Sequence, residues 1–122
     1  ISGPDVTPSP MPCSPLVEAN GFVFLAGQVG NRPGVAGAVP GGIEAETRQM
    51  LDNVGRLLKA ADLDFSYVVQ STVYLVEFSD FAAMNAVYRE FFPTDPPTRA
   101  TVGVTALAAD FRIEIVCVAA RR

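Results

Sequence analysis

Histidine and tryptophan are absent from this 122-residue chain, and Lys59 is its only lysine. Without histidine the chain lacks both the commonest metal ligand and the commonest general base near neutral pH. A Ser-His-Asp triad cannot be built from it. Metal binding would rest on Cys13, Cys117 and carboxylates, and neither a Cys-x-x-Cys pair nor an EF-hand loop is present. The two cysteines lie far apart and form no disulfide framework, which points to thiols in a reducing cytoplasm. Charge is scarce, at 18% of residues with a net of −4. The basic footprint of a nucleic-acid binder is therefore missing. The longest uncharged stretch, Ala19 to Asn31, falls short of the ~18 apolar residues that suggest a membrane span. The Gly/Pro run from Gly30 to Gly42 has neither the Gly-Lys-Ser/Thr ending of a phosphate loop nor a dinucleotide fingerprint, so it reads as a loop. Carboxylates, arginines, hydroxyls, thiols and backbone groups remain for chemistry.

Hydrophobic residues make up 49% of the chain, enough for one well-buried domain over 16–122. Prolines 4, 8, 10, 12 and 15 mark residues 1–15 as an N-terminal arm, because proline disfavours both helix and ladder. Asn20-Gly21 between two apolar runs predicts a hairpin. Ile43, Met50, Leu51, Val54, Leu57, Leu58 and Ala61 repeat at helical spacing, with Glu44, Arg48, Asp52, Arg56 and Lys59 opposite. A strand is expected over Tyr67–Phe78. Ser79 then caps a second helix that turns Phe81, Met84, Tyr88 and Phe91 inward, and Phe92-Pro93 stops it. Strands over Arg99–Leu107 and Phe111–Ala119 complete a β-β-α-β-α-β-β order. The class is α+β, with a mixed sheet of about six strands and two helices on one face. Several strands are apolar on both sides, so the uncovered face is expected to pack against copies of the chain.

If the last two strands form a hairpin, Gly103 lies opposite Glu114 and Arg99 opposite Val118. Alternation then puts Arg99, Thr101, Gly103 and Glu114 on one face, with Ile113, Ile115 and Cys117 on the other. On a functional reading, Arg99 presents its planar fork to a substrate carboxylate, Glu114 handles water or a proton, and Gly103 leaves room for the ligand. On a structural reading, Arg99 and Glu114 form a salt bridge at a subunit interface. Spacing alone leaves both open.

Pro97-Thr98-Arg99-Ala100-Thr101-Val102-Gly103-Val104, with Leu107 and Ile113-Glu114-Ile115, resembles the signature of the Rid (YjgF) family of reactive intermediate deaminases, also described as endoribonuclease L-PSP. Ala26-Gly27-Gln28-Val29-Gly30, Gln49 to Val54 and Asp80 to Tyr88 resemble further family segments, so the likeness spans residues 14 to 120. It implies a chorismate-mutase-like protomer assembled as a homotrimer with clefts between subunits. It also implies hydrolysis of 2-enamino and 2-imino acids, such as 2-aminoacrylate or 2-iminopropanoate, to 2-keto acids and ammonia, without metal or organic cofactor. By position, Arg99 matches the carboxylate-binding arginine, Glu114 the acid that places water, and Asn85 the helix asparagine near the site. Leu16, Ala26 and Thr101 stand where the best-characterised branch has tyrosine, serine and cysteine, which opens the site to a larger or more apolar imino acid or to a different carboxylate-bearing ligand. The alternatives are a non-catalytic trimer that binds small carboxylates and, against the charge balance, an endoribonuclease or translation inhibitor.

Overall fold

The computed structural model describes residues 12–122, so most of the expected arm, residues 1–11, lies outside the described residues. β1 (Leu16–Ala19) and β2 (Phe22–Leu25) form the expected hairpin, with Leu16 opposite Leu25. Asn20 and Gly21 turn it at φ 53° and 81°, the left-handed pair that a tight two-residue turn requires and that Asn-Gly adopts at little cost. β3 (Gln28–Val29) follows. It is a strand too short to leave an alternation in the sequence.

Helix α1 (Gly42–Ala60) buries Met50, Leu51, Val54, Leu57 and Leu58 along its apolar stripe, as the periodicity predicts. β4 (Val68–Leu75) leads through a 3-10 turn at Phe78–Asp80 into α2 (Phe81–Phe91), which buries Met84, Val87 and Tyr88. Ser79 does not cap α2. Asp80 holds the N-cap position, and its side chain makes no cap bond because Arg112 engages both carboxylate oxygens at 2.8 Å. β5 (Thr98–Gly103) and β6 (Ile113–Ala120) end the fold.

The strands form one six-stranded sheet in the order β1-β2-β6-β4-β5, with β3 also paired to β6. α1 packs on α2, β3 and β6, and both helices lie on the face carrying buried Val23, Leu25, Val73, Leu75, Ile113, Ile115 and Cys117. On the opposite face Val17, Phe22, Phe24 and Val102 are 40–51% exposed.

The expected hairpin of the last two strands does not form. β5 runs parallel to β4, Arg99 pairing with Ser71 and Gly103 with Leu75, whereas β6 pairs antiparallel with the other side of β4, Cys117 against Ser71 and Glu114 against Tyr74. β6, apolar on both faces apart from Glu114, takes a central place, and Thr98-Arg99-Ala100-Thr101, with a charged group, takes an edge. The intervening strand also changes the parity, and a shift of one residue reverses every side chain. Arg99 therefore shares its face with Ser71 and Cys117, under the helices, and Glu114 shares the open face with Tyr74 and Val102.

Candidate active site

Asn85, Tyr88, Arg89 and Phe92 recur at i, i+3, i+4 and i+7 and so form one stripe of α2. Arg99, on the adjacent edge strand, reaches this stripe. One Arg99 guanidinium N–H donates to Asn85 Oδ1 at 2.8 Å. The guanidinium carbon lies 4.7 Å from the Tyr88 ring centroid and 5.5 Å from that of Phe81, in the range of cation–π attraction. Tyr88 is anchored in turn: its hydroxyl lies 2.7 Å from Ser71 Oγ in a buried hydrogen bond. Burial pushes the Tyr88 phenol above its ordinary range, against the pull of the Ser71 hydrogen bond and the Arg99 charge. The ring is thus a neutral platform under the cation.

Among the described residues no carboxylate pairs with Arg99. Five N–H donors in a fixed fork, with one committed to Asn85, leave the rest for a planar anion. They open on a groove of about 480 Å³ lined by Asn85, Tyr88, Arg89, Phe92, Arg99 and the prolines at 93, 96 and 97. Cys117, in register with Arg99 through Ser71, is buried, and its thiol is pushed up to about 12. A thiol held protonated cannot act as a nucleophile at neutral pH.

Glu114 is held elsewhere. Its carboxyl lies over Gly27, so a Cβ there would meet the end of the Glu114 side chain and displace it. Burial raises its pKa above the ordinary carboxylate range. Arg99 and Glu114 lie two strand spacings apart across the sheet, ~9–10 Å, and three residues, roughly 10 Å, apart along it, on opposite faces, so a salt bridge between them, the structural reading above, is not made within a protomer. Of the other predicted site residues, Thr101 shares the Arg99 face, in register with Val73. Gly103 is exposed, and a Cβ there would make ordinary contact with Phe78. Ala26 is half-buried, its N–H donating to the Pro15 carbonyl. Leu16 is 2% exposed and belongs to the core. The groove thus unites Arg99 and Asn85 and none of the others.

Sequence reasoning missed the supports. Tyr88 reads as an inward aromatic, and only its spacing of three from Asn85 hints at a place beneath Arg99. Glu46 passes unnoticed, yet it is 2% exposed, and its Oε2 accepts the backbone N–H groups of Arg112 and Ile113 at 2.7 and 3.3 Å. Asn53 donates to the Val29 and Asn31 carbonyls at 2.9 and 2.8 Å. These contacts pin α1 to β3 and β6. Among the described residues no three His, Cys, Asp or Glu side chains gather where a metal ion could sit, and no helix is long and apolar enough to cross a membrane.

The sequence model of the family described as Endoribonuclease L-PSP matches residues 7–121. The chain is 41% identical over 108 residues to the 2-iminobutanoate/2-iminopropanoate deaminase of Capra hircus, covering 88% of this chain and 79% of that one. It is 40% identical over 108 residues to the chloroplastic Reactive Intermediate Deaminase A of Arabidopsis thaliana, of which the match spans 58%. Escherichia coli TdcF, solved with bound serine, superposes with a TM-score of 0.90 at 30% identity, covering 100% of this chain and 98% of that one. The match over nearly the whole length, in sequence and in fold, places the chain in the endoribonuclease L-PSP family, the Rid (YjgF) family that its motifs resemble.

Proposed function

We propose that the chain hydrolyses reactive 2-imino and 2-enamino acids to 2-keto acids and ammonia. The observation that carries this reading is Arg99, a guanidinium steered by Asn85, stacked on an anchored Tyr88 and paired with no carboxylate among the described residues. Its fork suits the carboxylate that every such substrate bears. Relatives at about 40% identity named as imine deaminases support the same chemistry, as does a structural neighbour holding serine, a small amino acid.

The reaction asks little of side-chain chemistry. An imine carbon is already electrophilic, and an enamine becomes an imine once its β-carbon is protonated. Water adds to the C=N carbon, the C–N bond of the tetrahedral adduct breaks, and ammonia leaves with the proton it needs. Holding the carboxylate and presenting water supply the rate through proximity and proton transfer. Glu114, whose carboxyl burial raises above its ordinary range, is the acidic residue we assign to orienting the water. No step calls for a metal, an organic cofactor or histidine.

One protomer cannot bring Arg99 and Glu114 to one ligand, so a site that uses both takes Arg99 from one copy and Glu114 from another. A homotrimer with three clefts between subunits satisfies this, and it also covers the face exposing Val17, Phe22, Phe24 and Val102. In such a cleft Thr101 and Gly103 line the floor beside Arg99. Ala26 leaves it without the hydroxyl of a serine, and Leu16, buried in the core, brings no polar group to it. That loss favours a second reading, a trimer that binds small carboxylates without turnover. RNA cleavage is poorly served by one lysine, no histidine and a net charge of −4.

The test follows the decay of freshly generated 2-iminopropanoate, 2-iminobutanoate and 2-aminoacrylate with and without protein. Faster ammonia release is expected for at least one of them. Decay at the uncatalysed rate on every compound, by a folded oligomer, would leave the binding reading in its place.

A further inference from the structure

We infer that Arg89 forms a second anion-binding position in the Arg99 groove, and that the preferred substrate is a 2-imino acid whose side chain ends in a carboxylate. The inference rests on the deaminase reading for its chemistry but not for its geometry. Asn85, which holds Arg99, and Arg89 are four residues apart on one face of α2, so their Cβ atoms lie about 5–6 Å apart. Arg89 therefore projects roughly one helical turn along the groove from the point where Arg99 is held. Both arginines line the same cavity, and among the described residues no carboxylate lines it with them.

Arg89 also makes no hydrogen bond or ion pair among the described residues. The acid beside it in sequence, Glu90, is engaged by Arg48 through two hydrogen bonds of 3.0 and 3.1 Å. A cation in the last turn of a helix is favoured by the helix dipole, but the dipole does not account for two guanidiniums facing one groove without an acid. Side by side they repel, and an anion carrying two carboxylates relieves both. The walls between them, Tyr88, Phe92 and the prolines, suit a short methylene chain. The groove volume of about 480 Å³ lies within the range of small-molecule sites. The reaction is unchanged: a 2-imino dicarboxylate takes up water, its C–N bond breaks, and a 2-oxo dicarboxylate and ammonia are formed.

The test compares 2-iminoglutarate with 2-iminopentanoate, equal in carbon count and differing in the terminal carboxylate. The wild-type oligomer should show about a tenfold or greater kcat/KM advantage for the dianion, the scale of one charge-assisted hydrogen bond. Arg89→Gln should erase that ratio, and Arg89→Lys should keep part of it. A ratio near one in the wild type, or one that Arg89→Gln leaves unchanged, overturns the inference while the deaminase reading stands. If neither is hydrolysed while 2-iminopropanoate, 2-iminobutanoate or 2-aminoacrylate is, the inference is overturned and the deaminase reading stands; if none of the five is hydrolysed, the deaminase reading fails, and titration with the stable compounds 2-oxoglutarate and 2-oxopentanoate decides the second position by itself. Tighter binding of 2-oxoglutarate that is lost in Arg89→Gln supports it, and equal affinities overturn it.

Discussion

Arg99 owes its position to a chain of contacts that runs inward. Asn85 fixes one edge of the guanidinium, Tyr88 lies beneath it, and Ser71 fixes Tyr88. The last link is a buried hydroxyl pair, where removing one partner leaves the other unsatisfied while removing both does not. Tyr88→Phe and Ser71→Ala should each lower stability by about 1–3 kcal/mol, and the double variant should cost clearly less than the sum. Urea unfolding of the four proteins measures this coupling, and strict additivity would mean that the hydroxyls do not depend on each other. At this scale Glu114 lies outside the groove, and only the pairing of Arg99 with Asn85 was legible, through the resemblance. The Tyr88 and Ser71 supports were not, because they depend on how α2 lies across β4, which no local pattern encodes.

Among the elements, α1 and β6 are joined by a buried acid. Glu46 receives two backbone N–H groups where β6 begins, and Arg112, whose N–H is one of them, grips Asp80 ahead of α2. Gly30 packs so closely on Glu46 that a Cβ would collide with its backbone. Burial is the largest influence on the Glu46 carboxyl and raises it above its ordinary 4.5, although the two amides pull it down. The folded protein therefore holds this proton more tightly than the unfolded chain does. The resulting stability is fully present below the ordinary carboxylate pKa and is lost as pH rises through the raised value. Glu46→Gln, neutral throughout, should lack this decline, so its stability relative to wild type should climb as pH rises from the ordinary carboxylate pKa through the raised one. Parallel stability curves for the two proteins would show that Glu46 titrates as an ordinary carboxylate. The helices and the hairpin were legible from periodicity and Asn20-Gly21, local signals that tertiary structure did not override. The place of β4 between β5 and β6 was not, since Arg99–Leu107 and Phe111–Ala119 also make a sensible hairpin in isolation.

At the scale of the molecule, one error of register had the largest functional consequence. A hairpin would have put Arg99 and Glu114 on one face of one protomer, whereas the actual order puts them on opposite faces, two strands apart. Cooperation between them then requires two copies, and the exposed apolar face supplies the reason for copies to meet. Mixing tests this directly. Arg99→Ala and Glu114→Ala should each be nearly inactive alone, yet oligomers re-formed from a mixture should regain part of the wild-type rate, because some clefts then hold an intact residue of each kind. A mixture no more active than its components, with subunit exchange verified, would place both residues in one protomer's site or remove Glu114 from it. The central claim, that Arg99 grips the substrate carboxylate through a two-pronged fork, is tested most directly by kcat/KM of Arg99→Lys on 2-iminopropanoate. Lysine keeps the charge and loses the fork, so the predicted result is a fall of roughly ten- to a hundredfold in a protein that keeps the wild-type oligomeric state. Unchanged kcat/KM in that intact oligomer would contradict it.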